Sequence, residues 1–558
     1  MNEQNSYVYV SEEKTPARSF NTVETVFAWI CFAIGYAFCR VFPASANPFG
    51  GFLFIITLFV VTAVILKIKG ARLTGMPLAA GISALLMGTS LLFSANLFIH
   101  FFAYAYCLGA YGYFLYTAFG NAAEQGLNDL LFIDFFKALL IAPFRSFIAL
   151  FRGVFSGKSQ VGGKTLLKII AGIGVAIVPT VIIISLLSYD SGFSDLLMDI
   201  FDFGFSDVLS HIGSLILGIP IGMYVYGLFI SSIDRKCDGI WTAQTCRETS
   251  AKIKIAPVIS VLSAVFPILA VYVVFFISQW KYYISGFVGV LPDATTYAEY
   301  AREGFFQLCT VSFINFLIIG AIGFFTRRKT EKPSVLQRLL TIVLSLFTLV
   351  LIATAVAKMV LYIDVYGLTP KRVYATWFMA VLALLFILMI IKQFALRLRA
   401  IAISAVIVIC SFAALSFANT DALIVEYNAD RYLDGSIDSF DADAMSELGD
   451  AAIHSMVRLA MTLDKKHGSD LLNYNNDKGS MDAYEYYEYT ELCNYLYNLA
   501  KWRETDVWSL TLPQLQADAA LKECGLDEKI AQWKKEEAEE AAGEEAENRD
   551  EDFYYYDY

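Results

Sequence analysis

The sequence predicts an all-α protein, a polytopic bundle of about eleven transmembrane helices followed by a small C-terminal helical domain outside the membrane. Of its 558 residues, 57% are hydrophobic and only 17% are charged, whereas soluble domains carry about 25% charged residues. Long apolar runs recur up to residue 418, and the composition then turns polar and acidic. These observations exclude an ordinary soluble enzyme.

Transmembrane helices need about 20 mostly apolar residues, because each helix satisfies its own backbone hydrogen bonds within the bilayer. Eleven runs approach this length, at residues 25–42, 50–66, 76–94, 97–119, 166–188, 209–233, 256–280, 305–326, 337–361, 373–391 and 400–418. Two other apolar stretches, 131–152 and 192–207, are interrupted by charges. We expect these two to lie flat on opposite membrane surfaces, with re-entrant segments as the alternative.

The connections between the runs predict the orientation. With the N-terminal segment 1–24 in the cytoplasm, the connections on that side hold 24 Lys and Arg residues, and those on the opposite side hold 6. Such an excess of positive charge marks the cytoplasmic side. Residues 25–418 are therefore predicted to be a multi-pass membrane domain, and an odd number of spans places everything after residue 418 outside.

The C-terminal part is predicted to be a helical domain at 419–535 with an acidic, disordered end at 536–558. Residues 1–418 carry a net charge of +10, whereas residues 419–558 carry −21. Apolar residues recur at helical spacing within 421–433, 442–463, 484–503 and 512–524. The acidic balance repels phosphate backbones, so we expect no nucleic-acid partner. Cys493 and Cys524 either pair or stay free, and the sequence leaves both open.

Motifs for catalysis or for metal binding are missing from the sequence. No two of the four histidines have the spacing of metal ligands, and no nucleophile elbow or zinc-protease motif occurs. The span centres contain no Asp or Glu, which argues against a proton-coupled pump. We therefore expect no cofactor, no metal and no catalytic residue, although the sequence leaves enzymatic activity open.

Polar and aromatic residues are densest at the outer ends of the eighth, ninth and tenth runs. The candidate cluster comprises Tyr297, Glu299, Tyr300, Arg302, Glu303, Lys358, Tyr362, Asp364, Tyr366 and Arg372. It is either an aromatic belt with paired charges, an outward-facing polar site, or a docking place for the C-terminal domain. Within it, Arg372 is expected to pair with Asp364 or Glu303.

Four stretches resemble an uncharacterised bacterial membrane family, domain of unknown function 4173, which is related to family 4153. They are YAEYAREGFFQL (297–308), YGLTPKRVYATW (366–377), DALIVEYNADRYLDGSIDSFDADAMSELGDAAI (421–453) and KWRETDVWSL (501–510). The motif positions are Gly367, Leu368, Thr369, Asn419, Asp421, Asn428 and Arg431. Phe440 and Gly449 depart from the family pattern. The resemblance implies a bacterial plasma-membrane protein and implies no activity.

Two main hypotheses of function remain. The first is a non-enzymatic scaffold, sensor or accessory component of the bacterial cell envelope, embedded in the lipid bilayer, whose C-terminal domain meets an envelope protein. The alternative is a transporter or lipid-handling protein with an outward-facing polar cavity. A third hypothesis is a membrane-embedded transferase that uses Glu303 or Asp364 as its base. The substrate, the partner and the oligomeric state do not follow from the sequence.

Overall fold

The computed structural model describes residues 18–42, 47–155, 183, 206–288, 297–327, 333–469, 479–503, 506–532 and 534–535. The predicted all-α class is confirmed, because these residues form helices and no β-strand. Nine of the described helices are long and apolar enough to cross a membrane. The expected run at 76–94 forms a shorter apolar helix. All but residue 183 of the expected run at 166–188, and most of 192–207, lie outside the described residues.

The helices that precede residue 419 include all nine candidate spans. They are α1 (Thr22–Val41), α2 (Pro48–Ile68), α3 (Met76–Thr89), α4 (Leu97–Ala118), α5 (Leu131–Phe136), α6 (Ala142–Arg145), α7 (Ala149–Val154), α8 (Ser206–Ile233), α9 (Ala243–Ile253), α10 (Val258–Val288), α11 (Tyr297–Phe325), α12 (Val335–Tyr366), α13 (Pro370–Phe394) and α14 (Ala400–Phe417). The C-terminal helices are α15 (Thr420–Leu433), α16 (Ala442–Ser446), α17 (Asp450–His467), α18 (Ala483–Lys501) and α19 (Leu512–Glu523).

The chain divides into two compact units. Unit 1 contains most of α1, the end of α2, and α6 to α8. In this unit α1 and α8 cross so closely that a Cβ added at Gly35 would lie 2.0 Å from the carbonyl oxygen of Gly218. Glycines allow this approach of two apolar helices. Elsewhere in unit 1, the buried carboxylate of Glu24 accepts from Lys69 at 2.7 Å and from Arg18 at 3.2 Å.

Unit 2 contains the start of α2, α3 to α5, and α9 to α19. Here α3 packs on α4, while α12 packs against α10, α11 and α13. The core shared by α10 to α13 is formed by large apolar side chains such as Leu344, Leu351 and Phe386. Asn315 and Thr348 lie within it and hydrogen bond to each other at 2.9 Å. The buried polar pair is thereby satisfied without any ionised group.

The expected interfacial helix at 131–152 is not continuous. The chain forms α5, a π-helical turn at Lys137–Ile141, and the short helices α6 and α7. Asp134 accepts from the Ala123 amide at 3.0 Å, and the Lys137 ammonium lies 3.4 Å away. Both side chains are buried. The regular helix is interrupted at the π-helical turn, and Pro143 lies in the first turn of the next helix, where its missing N–H is tolerated.

The C-terminal helices share one apolar core. Ile424, Met456, Leu459 and Leu496 are among its most buried members. The expected helix at 442–463 is divided into α16 and α17, because Gly449 adopts a φ of 61° between them. Leu368, in the turn before α13, and Val373, in the first turn of α13, pack against the same core. The core therefore continues from the C-terminal helices to the end of a candidate span.

Cys493 and Cys524 are both free in the structure. Cys493 is buried on α18, and this burial raises the pKa of its thiol to about 12. The thiol is therefore protonated at neutral pH and unreactive. A labelling reagent would not reach Cys493 in the folded protein.

Candidate functional site: the junction of the C-terminal helices with the span ends

The candidate site is built around the sharp turn that joins α12 to α13. α12 ends at Tyr366, and Gly367 follows with a φ of 72°. Its amide donates to the carbonyl of Ile363 at 2.8 Å. Pro370 then begins α13. Glycine after the last helical residue and proline at the first position of the next helix are the residues that such a turn favours.

Asn428 of α15 binds this turn through its side-chain amide. Its Oδ1 accepts from the Leu368 amide at 2.7 Å, and its Nδ2 donates to the Leu368 carbonyl at 2.9 Å. A Cβ added at Gly367 would lie 2.4 Å from Oδ1 of Asn428. Glycine at 367 is therefore needed twice, for its backbone angle and for the close approach of Asn428.

Arg372, in the first turn of α13, binds the same turn. Its guanidinium stands 4.0 Å from the ring centroid of Tyr362 and donates to the carbonyls of Tyr366, at 2.9 Å, and Gly367. A cation at a helix C-terminus compensates the partial negative charge of the free carbonyls. The expected pairing of Arg372 with Asp364 is not found, because the Arg372 guanidinium is held by carbonyls and the Tyr362 ring. The alternative pairing with Glu303 stays a prediction.

The cationic partner of Asp364 is Arg431 of α15. Its guanidinium donates to the carbonyl of Asp364 at 2.9 Å and to that of Ile363 at 3.4 Å. The nearest carboxylate oxygen of Asp364 lies 3.6 Å away. The guanidinium also donates to the hydroxyl oxygen of Tyr427 at 3.1 Å. Arg431 therefore holds the last turn of α12 mainly through backbone carbonyls, and the exposed carboxylate adds a weak ion pair.

The first turn of α15 is held at a different span end. The Asp421 carboxylate accepts from Nδ2 of Asn96 at 2.9 and 3.2 Å. The Oδ1 of Asn96 caps α4 by accepting from the Phe98 and Ile99 amides. Asp421 is only 3% exposed. Burial raises the pKa of its carboxyl above the usual range, while the bond from Asn96 acts in the opposite direction.

Helix α15 thus connects several span ends. Its 14 residues make a rod of about 21 Å. One end lies at the start of α4, and the other contacts the end of α12 and the turn into α13. We call this set of contacts the junction, and its members are Asn96, Tyr362, Asp364, Tyr366, Gly367, Leu368, Arg372, Asp421, Asn428 and Arg431.

The sequence identified most of these residues but not their partners. Asn96 was missed, although an asparagine directly before an apolar run is a typical N-cap. Asn419 takes a left-handed φ of 45° where α15 begins, and the Thr369 side chain makes no capping hydrogen bond. Lys358 lies one to two turns before the junction on α12. The side chains of Tyr297, Glu299, Tyr300, Arg302 and Glu303 lie outside the described part.

Most polar contacts of the junction involve main-chain atoms. The guanidinium groups of Arg372 and Arg431 and the amide of Asn428 bind backbone carbonyls and amides, whereas the amide of Asn96 binds the Asp421 carboxylate. Among the described residues, no group of three or more His, Cys, Asp or Glu side chains could hold a metal ion. A cavity on the candidate spans is lined by Val273, Phe276, Ile277 and Phe347, all apolar. This cavity does not include any residue of the junction.

Residues 81–459 match the family described as domain of unknown function DUF4153. The match covers more than half of the chain and includes the whole junction. The chain belongs to the DUF4153 family. No curated protein and no solved structure matches it. Because the function of this family is unknown, membership does not imply an activity for this chain.

Proposed function

We propose that this DUF4153 protein is a non-enzymatic scaffold or sensor of the bacterial plasma membrane that presents its C-terminal helices to a partner in the cell envelope. The observation that carries the proposal is the junction, in which Asp421, Asn428 and Arg431 fix α15 to the span ends. A domain on a flexible tether would not need these buried contacts. The likeness of the motif stretches to family 4173 forms part of the same proposal.

The proposed orientation puts the N-terminal segment in the cytoplasm and the C-terminal helices outside. The alternation of spans assigns the start of α4, the end of α12, the start of α13 and the end of α14 to one side. All four lie at or beside the junction. At the opposite ends of the helices, Arg247 pairs with Glu124, and Arg399 donates to the carbonyl of Leu127. These contacts support the alternation, and the positive-inside rule supplies the direction.

Surface labelling tests the orientation. Tyr487 is exposed on α18, so the cysteine in Tyr487→Cys should react with a membrane-impermeant maleimide on intact cells. The parent protein gives the background from its nine native cysteines. Labelling of the variant above that background only after lysis would contradict the proposed orientation.

In-cell photo-crosslinking tests the scaffold role. A benzoylphenylalanine placed at Tyr484 or Tyr487, both exposed on α18, should give the same polypeptide adduct in the cell envelope. The control is the same probe at Gln244, an exposed position of α9. No polypeptide adduct from the α18 positions, or the same adduct from Gln244, would contradict the proposal.

The transporter hypothesis gains no specific support from the geometry. It requires a polar cavity near the candidate cluster, and the cavity found among the described residues lies on α10 and α12 and has apolar walls. The guanidiniums of Arg372 and Arg431 are held by carbonyls. They are therefore poorly placed to bind a passing solute.

A further inference from the structure

The C-terminal helices expose an apolar segment that their own core does not use. Trp502 is 72% exposed, Val507 is 68% exposed and Trp508 is 53% exposed. Leu512 and Leu515, one turn apart at the start of α19, also face outward. We call residues 502–515 the aromatic segment; residues 504–505 within it lie outside the described part. Large apolar side chains concentrated in this way mark an interaction surface.

The aromatic segment is firmly attached to the helices that carry it. Arg503, at its start, is largely buried and makes ion pairs with Asp450 of α17 at 2.5 Å and with Asp518 of α19 at 2.7 Å. It also donates to the carbonyl of Gln514. Thr511 caps α19 by accepting from the amide of Gln514. The exposed side chains are therefore held outward by a fixed backbone.

Trp508 of the aromatic segment contacts the start of a candidate span. A Cβ added at Gly50 would lie 3.5 Å from Cε3 of Trp508, so the indole covers Gly50 in the first turn of α2. α2 is a candidate span of 21 residues. At 1.5 Å per residue it is about 30 Å long, close to the thickness of the hydrocarbon core. Its first turn, and with it Trp508, therefore lies at the boundary between hydrocarbon and headgroups.

We propose that the aromatic segment is an interfacial anchor that inserts Trp502, Val507 and Trp508 into the headgroup region of the surrounding bilayer. Tryptophan favours this boundary, where its ring is in an apolar medium and its N–H can bond to headgroups or water. The ammonium of Lys501 lies 5.4 Å from the ring centroid of Trp502. The occupant of this surface is thus lipid, and the proposal is independent of any envelope partner.

A photo-crosslinker in the purified, full-length protein tests the anchor. Benzoylphenylalanine replaces Trp502 or Val507 in proteoliposomes of phosphatidylethanolamine and phosphatidylglycerol, and adducts are identified by mass spectrometry. Both positions are exposed, so the substitutions should leave folding unchanged. The same probe at Ile259, a highly exposed position of candidate span α10, is the positive control, and Tyr487 is the matched negative control.

The anchor predicts a lipid-sized adduct from positions 502 and 507 at a yield several-fold above that from 487. Two results would overturn it. One is a lipid yield at 502 and 507 no higher than at 487 while Ile259 still reports lipid. The other is crosslinking of 502 and 507 mainly to polypeptide, which would make the segment a protein-docking or self-association surface. Neither result bears on the partner adducts expected from α18 in cells.

Discussion

Asn428 holds Leu368 by both edges of its amide, accepting from the Leu368 N–H at 2.7 Å and donating to the Leu368 carbonyl at 2.9 Å. The two residues are 60 positions apart in the chain. One belongs to a C-terminal helix and the other to the turn between two candidate spans. This pair defines how the C-terminal helices are fixed to the membrane part.

Removing the amide of Asn428 should loosen the C-terminal helices. Asn428→Ala leaves the Leu368 N–H and carbonyl without a partner in a half-buried place, which costs about 1–3 kcal/mol. Pulse proteolysis of the protein in nanodiscs measures the free energy of unfolding of this region. Asn494→Ala, at an exposed position of α18, is the control, and equal stability of the two variants would contradict the role of Asn428.

A methyl group at Gly367 should be more damaging than one at Gly435. Both glycines have a positive φ, of 72° and 77°, and an alanine forced into such a backbone conformation costs about 1–3 kcal/mol. Only at Gly367 would the added Cβ also clash with Asn428, since nothing lies within 4 Å of it at Gly435. Gly367→Ala should therefore lower the free energy of unfolding more than Gly435→Ala does.

A double variant isolates the clash. Combining Gly367→Ala with Asn428→Ala removes the atom that the new methyl group would meet. Its cost should be smaller than the sum of the two single costs. Full additivity would show that the contact between the two positions is unimportant.

The carboxylate of Asp364 and the backbone carbonyls that bind Arg431 should contribute unequally to the free energy of unfolding. Asp364→Asn removes a carboxylate whose side chain is 56% exposed and whose nearest oxygen is 3.6 Å from the guanidinium. This should cost less than about 1 kcal/mol. Arg431→Met removes charged hydrogen bonds to the backbone carbonyls of Ile363, Asp364 and Ser436 and should cost about 2 kcal/mol or more. The same proteolysis assay compares them, and a reversed order would contradict the assignment.

Arg372 should resist rescue by charge exchange. Its partners are two carbonyls and the face of Tyr362, so Arg372→Glu brings a negative charge to a helix end that is already negative. Adding Asp364→Arg should not restore the thermal stability. Recovery of more than half of the lost stability would revive a direct pairing of the two side chains.

Asp421 should make stability fall as the pH rises through the acidic range. Burial raises the pKa of its carboxyl, so the folded protein holds the proton more tightly than the unfolded chain does. The free energy of unfolding therefore decreases between the ordinary pKa and the raised one, and stays lower above it. Asp421→Asn should flatten this dependence when melting is followed from about pH 4 to 8.

Asp434 provides a control, because its carboxyl should change the free energy of unfolding with pH in the opposite direction. Hydrogen bonds from Ser436 lower the pKa of its carboxyl, so its contribution to stability is present above the ordinary pKa and is lost as the pH falls. Asp434→Asn should therefore not flatten the dependence assigned to Asp421. Identical pH profiles for the parent protein and for Asp421→Asn would contradict a raised pKa at this carboxyl.

The fold class and most helix positions followed from hydropathy and periodicity, because a run such as 400–418 has no stable alternative to a helix in a bilayer. Boundaries were less certain where polar residues continue a helix. α11 begins at Tyr297, eight residues before the expected run, because its first two turns are polar. Residues 131–152 do not form one helix, and the sequence did not indicate this: the buried Asp134 carboxylate binds the main-chain amide of Ala123, and a main-chain partner leaves no pattern in the sequence.

The sequence predicted most residues of the candidate site, but it did not predict which of them contact each other. Asp364 and Arg372 are close in sequence and opposite in charge, which suggested a pair. The cation nearest to Asp364 is Arg431, from a helix that begins after two further spans. Asn428 binds main-chain atoms, which any residue could supply, so no complementary side chain pointed to it. Side-chain bonds to a distant backbone leave no pattern in a single sequence.

Hydrogen exchange at the turn after α12 tests the central claim most directly. In the intact protein in nanodiscs, the peptide containing Leu368 should exchange slowly for a turn between two spans, because its amide donates to Asn428. Asn428→Ala should speed that exchange at least tenfold and leave a peptide from the middle of α12 unchanged. Equally fast exchange in the parent protein and in Asn428→Ala would show that the C-terminal helices are not fixed to the span ends by the junction.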